Sequence, residues 1–83
     1  MSEKLKQIAE LLLQITEDRT VPRNIRESAQ QAKESLESDE EQITKVDRAI
    51  QLLDDISEDS NMPAYTRTQI WSIVSLLESF LKE

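Results

Sequence analysis

The sequence predicts an all-α fold, a four-helix up-and-down bundle built from two tandem helical hairpins. Three observations predict it. Apolar residues recur with helical spacing in four segments, and no segment alternates with the period of a strand. The stretch "EDRTVPRNIRE" from Glu17 returns forty-one residues later as "EDSNMPAYTRT" from Glu58. In both copies a proline stands where one helix stops and the next begins, and a period near forty is that of helix-pair repeats.

The first helix starts at Ser2 and places Leu5, Ile8, Leu12 and Ile15 on one stripe, with Ala9 and Leu11 beside it. The second runs from Pro22 to about Glu37 on a narrow seam of Ile25, Ala29, Ala32 and Leu36. "SDEE" opens the third, with Ser38 as N-cap and Glu41 at N3 in a capping box, followed by Ile43, Val46, Ala49, Ile50, Leu53 and Ile56. The fourth starts near Pro63 and carries Ile70, Ile73, Val74, Leu77, Phe80 and Leu81. Thr20 and Asn61 hold matching N-cap places, which puts Pro22 and Pro63 in the first helical turn. The chain thus reads as one domain over residues 1–83, with hairpin one over about 2–37 and hairpin two over about 38–83. Two helix pairs are too few for a solenoid, so they close on each other as a bundle. In that bundle both proline turns lie at one end, with Glu17, Asp18, Arg19, Val21, Arg23, Glu58, Asp59, Met62 and Tyr65. An acidic end with Glu34, Glu37, Asp39, Glu40 and Glu41 lies opposite.

Composition narrows the function classes. The 83 residues contain no cysteine, histidine or glycine. Disulfides, thiolate or imidazole metal sites and Gly-rich phosphate loops are thereby excluded. No cofactor, metal site or small-molecule substrate is expected, and a carboxylate-only calcium or magnesium site around Glu37 to Glu41 is the alternative to a capped, solvated turn there. The net charge of −7 repels nucleic acid and anionic membrane alike. "MSEKLKQIAELLLQ" intersperses charges among its apolar residues, which fits neither a leader nor a membrane span. Together with the missing cysteines, this gives a cytoplasmic protein as the expectation.

"VPRNIRESAQQAK" with "ISEDSNMPAYTRTQIWSIVSLLE" resembles a family of small uncharacterised archaeal helical-bundle proteins of unknown function. The resemblance spans nearly the whole chain, and "VPRNIR" and "MPxxxRxxIW" are its most specific parts. It implies archaeal origin and a helical bundle, and it brings no catalytic residue with it. A weaker local similarity, from Ile25 to Leu36, is to the second helices of HEAT-type repeats.

Few residues stand out as functional candidates. No nucleophile is paired with an imidazole or amine base, so catalytic residues are not expected and the chain is read as no enzyme. Asp18 with Arg26, and Asp59 with Arg67, read as ion pairs pinning each turn to the helix that follows it. Arg19, Arg23 and Arg26 form a candidate anion contact at a helix N-terminus, the basis of an alternative reading as a nucleic-acid or phosphate binder. Acidic neighbours and the lack of interleaved aromatics count against it. Trp71 is the sharpest outlier. On a helical wheel it points about 120° from the apolar stripe, and its counterpart in hairpin one is Gln30. Either Arg67 covers its ring at the edge of the bundle, or it anchors a partner. The candidate interaction residues are Trp71, Arg67, Glu78 and Val74. The leading reading is a non-catalytic module that binds a protein partner or forms a homodimer.

Overall fold

In the computed structural model, which describes residues 1–83, four helices follow one another: α1 (Glu3–Thr16), α2 (Arg23–Leu36), α3 (Gln42–Ile56) and α4 (Ala64–Leu81). There is no strand. Each helix packs on its sequence neighbours, and α4 returns to α1, closing a ring around one core. The closure makes two hairpins into a four-helix bundle. The radius of gyration, 11.7 Å, is that of a compact domain of this length.

The core follows the helical stripes. Leu5, Leu12, Ile15, Ile25, Ala29, Ala32, Leu36, Val46, Leu53, Ile70 and Leu77 are buried, joined by Ile8, Ala49, Ile50 and Ile73. Ala29 and Ala32 bring α2 close to its neighbours. α1 begins one residue after Ser2, which caps it, its hydroxyl accepting the Leu5 N–H at 3.2 Å.

The two proline turns share three backbone bonds, while the bond from Ile25 N–H to Pro22 O has no counterpart in the second turn. Asp18 N–H donates to Ile15 O and Asp59 N–H to Ile56 O. Val21 N–H donates to Asp18 O, and Met62 N–H to Asp59 O. Arg26 N–H donates to Pro22 O, and Arg67 N–H to Pro63 O. Pro22 (φ −55°, ψ 150°) and Pro63 (φ −59°, ψ 145°) are extended and occupy the N-cap position itself, one residue ahead of the first turn. The caps expected at Thr20 and Asn61 therefore do not form. A proline disfavours helical backbone at the residue before it, which keeps Val21 and Met62 out of the helix that follows, and its carbonyl starts that helix. Val21 and Met62, expected on the surface of this end, are buried and plug the core from below.

The turn between hairpins departs from expectation. The capping box at Ser38 does not form, and α3 begins at Gln42 with Glu41 in the cap position and no side-chain bond. Ser38 instead finishes α2: its hydroxyl donates to Ser35 O at 2.8 Å. Starting this late, α3 projects Ile43 past the end of α2, and Ile43 is 71% exposed where a core place was expected. Lys45 takes the contact instead. It is buried, its Nζ donates to Ser38 O, and its carbonyl accepts the Ser35 hydroxyl at 2.9 Å. A cation there also meets the negative end of the α2 dipole. Leu81, the last residue of α4, is likewise exposed.

Candidate functional site

No three acidic residues converge in a way that could hold a metal ion. In the acidic turn Glu37 pairs with Lys33 at 2.9 Å and Glu40 with Arg48 at 2.7 Å. No helix is long and apolar enough to cross a membrane.

The proline turns are held differently from the expected ion pairs. Asp18 does not bond Arg26. Its carboxylate accepts the Thr20 hydroxyl at 2.6 Å and the Thr20 N–H at 2.9 Å, and these bonds hold its pKa below the ordinary 3.8. Asp59 repeats the arrangement. It accepts the Asn61 N–H at 2.8 Å and, from across the bundle, the Asn24 side-chain amide at 2.7 Å. Its pKa is lowered too, first by the Asn61 bond, then by Asn24, with the Arg67 charge a smaller contribution. The arginines reach backbone carbonyls instead. Arg26 Nε donates to Val21 O at 3.0 Å. Arg67 uses both arms of its fork, one to Ser57 O and one to Asp59 O at 3.0 Å. Carbonyls past a helix end lack helical partners, so a planar cation with parallel donors satisfies them better than a distant carboxylate satisfies the arginine.

These bonds bear on the candidate anion contact at Arg19, Arg23 and Arg26. Arg26 is committed to the turn, Arg23 donates to Glu27 at 3.0 Å, and Arg19 lies exposed on the turn before them.

The exposed face of α4 is where the chain departs most from a plain bundle. Trp71 is 61% exposed and Leu76 is 46% exposed. The guanidinium expected over the Trp71 ring is occupied at the α3–α4 turn, so edge packing beneath Arg67 does not occur. Val74 packs against the core, and Glu78 lies beside α3 with Asp47, Gln51 and Asp54. Of the four candidate interaction residues, Trp71 and Glu78 are exposed, and Trp71 is the apolar one. Its neighbours on the open face are Thr68, Ser72, Ser75, Leu76 and Ser79. No charged residue occurs from Thr68 to Leu77.

Beyond Leu76 the α1–α4 seam is open. A furrow of about 370 Å³ runs between Lys4, Gln7, Ile8 and Leu11 of α1 and Leu76, Ser79 and Phe80 of α4, closed at its end by a Lys4–Glu83 ion pair. A second hollow of about 200 Å³ continues past Leu11 to Tyr65, Gln69 and Ile73. The Gln69 Oε1 atom is buried there without a hydrogen-bond partner. Sequence patterning marked Trp71 but not this furrow, because the furrow depends on how far α4 stands off α1.

Comparison with known proteins gives a consistent result. The uncharacterised protein family UPF0147 matches residues 1–80. A UPF0147 protein of Methanocaldococcus jannaschii is 57% identical over 77 residues, covering 92% of this chain and 83% of the relative. One of Pyrococcus furiosus is 45% identical over 80 residues, covering 94% and 86%. Among solved structures, the unknown-function protein MMP1188 superposes with a TM-score of 0.91 at 58% identity, over 93% of this chain and 89% of that one. A UPF0147 protein of Thermoplasma acidophilum superposes with a TM-score of 0.87 at 32% identity, over 92% and 91%.

Proposed function

The chain belongs to the uncharacterised family UPF0147, and from that premise we propose that it is a non-catalytic, cytoplasmic protein-interaction module whose contact face is the outer side of α4. One observation carries the reading: the only tryptophan stands 61% exposed within a run, Thr68 to Leu77, that carries no charge. Leaving so large an apolar side chain wet forfeits the gain of burying it, and tryptophan is a preferred anchor of protein interfaces. The absence of histidine and cysteine, and of converging carboxylates, supports a role without catalysis. The missing cysteines also suit a reducing compartment. Anion binding through Arg19, Arg23 and Arg26 has less support, since two of the three already have partners within the chain.

The test compares capture by the wild type, Trp71→Glu and the control Gln30→Glu, each immobilised and exposed to an archaeal lysate and to added free copies of the same chain. Proteins retained by the wild type and the control, and lost with Trp71→Glu, are the expected result. Identical capture by all three refutes the α4 face as a contact surface. A labelled RNA shifted by the chain in a salt-dependent way favours the anion-binding alternative.

A further inference from the structure

The positions lining the open face of α4 are compatible with pairing against a second copy of the same face. Thr68, Trp71, Ser72, Ser75, Leu76 and Ser79 line it. Their positions pair about the midpoint between residues 73 and 74: Thr68 with Ser79, Trp71 with Leu76, and Ser72 with Ser75. The small residues form a central seam with alternating spacings of four and three. Trp71 flanks the seam on the α3 side and Leu76 on the α1 side. Resting on the interaction reading above, we infer that this face takes a second copy of the chain, with two α4 helices packed antiparallel about a two-fold axis.

In that arrangement the small residues of one helix lie level with the small residues of the other, Ser72 beside Ser75 and Thr68 beside Ser79, so the axes approach closely. The two Trp71 rings meet on one flank of the axis and the two Leu76 side chains on the other. Such a patch is self-complementary, as a two-fold contact requires. Charge selects the same face. Two chains of net charge −7 repel each other, and the contact that avoids opposing like charges is the uncharged run from Thr68 to Leu77. No other helix has an uncharged run of that length. One helix pair is a small interface, at the low end of specific protein contacts.

Sedimentation equilibrium up to about 100 μM, together with the emission of the single tryptophan, tests the inference. The wild type is expected to approach twice 9.6 kDa, with Trp71 emission moving to the blue as concentration rises. Trp71→Ala is expected to weaken association at least about tenfold while leaving the helical circular dichroism intact. Because the chain has no cysteine, the register can be read by cross-linking. A mixture of Thr68→Cys and Ser79→Cys chains is expected to form the mixed disulfide. Neither variant should oxidise with itself, because eleven residues of helix, about 16 Å, separate the two levels. A monomeric wild type at about 100 μM overturns the second copy as occupant; the interaction reading then stands or falls on Trp71-dependent capture of a different protein. A dimer in which Thr68→Cys cross-links to itself overturns the antiparallel register.

Discussion

Replacing Arg67 tests how the proline turns are held. Its guanidinium is partly buried and spans two carbonyls, Ser57 O and Asp59 O, just past the end of α3. A hydrogen bond from a charged donor contributes about 1.5–3 kcal/mol, and water that enters after truncation recovers part of it. Arg67→Ala should therefore cost about 2–3 kcal/mol. Arg26, with one such bond to Val21 O, should cost about 1–1.5 kcal/mol on truncation to alanine. Lysine places one point charge where arginine places a planar fork, so Arg67→Lys should recover only about half of the loss. Urea unfolding followed by far-UV circular dichroism measures this. With a slope near 1 kcal/mol per molar, the Arg67→Ala midpoint should fall by roughly 2 M. If Arg67 acted mainly through the Asp59 carboxylate, Asp59→Ala would match Arg67→Ala and lysine would restore most of the stability. Either outcome, or equal costs at Arg26 and Arg67, refutes the carbonyl-clamp account.

Three further outcomes are expected. Ala32→Leu should overpack the approach of α2 and destabilise by about 1–3 kcal/mol, read as a lower denaturation midpoint. Gln69→Leu should raise the midpoint, because a buried acceptor without a partner costs about 1–3 kcal/mol and the site is lined by Leu11 and Ile73. Asp18 and Asp59 have pKa values below the ordinary 3.8 when folded. Over the window just below that value the unfolded chain binds more protons, so their contribution is complete above it and lost as pH falls through the folded pKa. A midpoint series from pH 6 to acid, set against Asp18→Asn/Asp59→Asn, should show a shallower acid decline in the variant; parallel curves would disprove this.

The elements were legible because the helical period and the repeated proline are local signals. Helix starts moved at the proline turns, where the proline itself takes the cap position, and between the hairpins, where a side chain bonded back to the helix behind it. Ser38 reads as an N-cap by its letters, yet it bonds backward to Ser35, and the burial of Lys45 follows from that late start of α3. The arginine at a fixed distance after each proline was visible, but its targets are carbonyls, which no residue letter advertises. Trp71 was legible as an outlier because the repeat supplies its own reference at Gln30. The furrow was not, since it depends on the spacing of two helices far apart in sequence.

The repeat also explains why that furrow exists. Under the forty-one-residue shift, the α2–α3 seam corresponds to the α4–α1 seam, Ser35 to Leu76, and Lys45 to Lys4. At the first seam the small Ser35 is buried against α3 and donates to Lys45 O at 2.9 Å, and α2 packs more extensively there than α4 does on α1. At the second, a leucine stands in the serine's place. It is too large for the same close approach and offers no donor, so α4 stands off, Leu76 stays 46% exposed, and Lys4 reaches out to Glu83 at the rim. Leu76→Ser should then let α4 settle toward α1, lowering amide exchange along α1 near Ile8 and Leu11. The same change removes half of the apolar flank of the α4 face, so it should weaken any contact made there. Slower exchange with weakened association would show that closing this seam and presenting a contact face are competing uses of one position. Unchanged exchange would show that something other than the bulk of Leu76 holds the two helices apart.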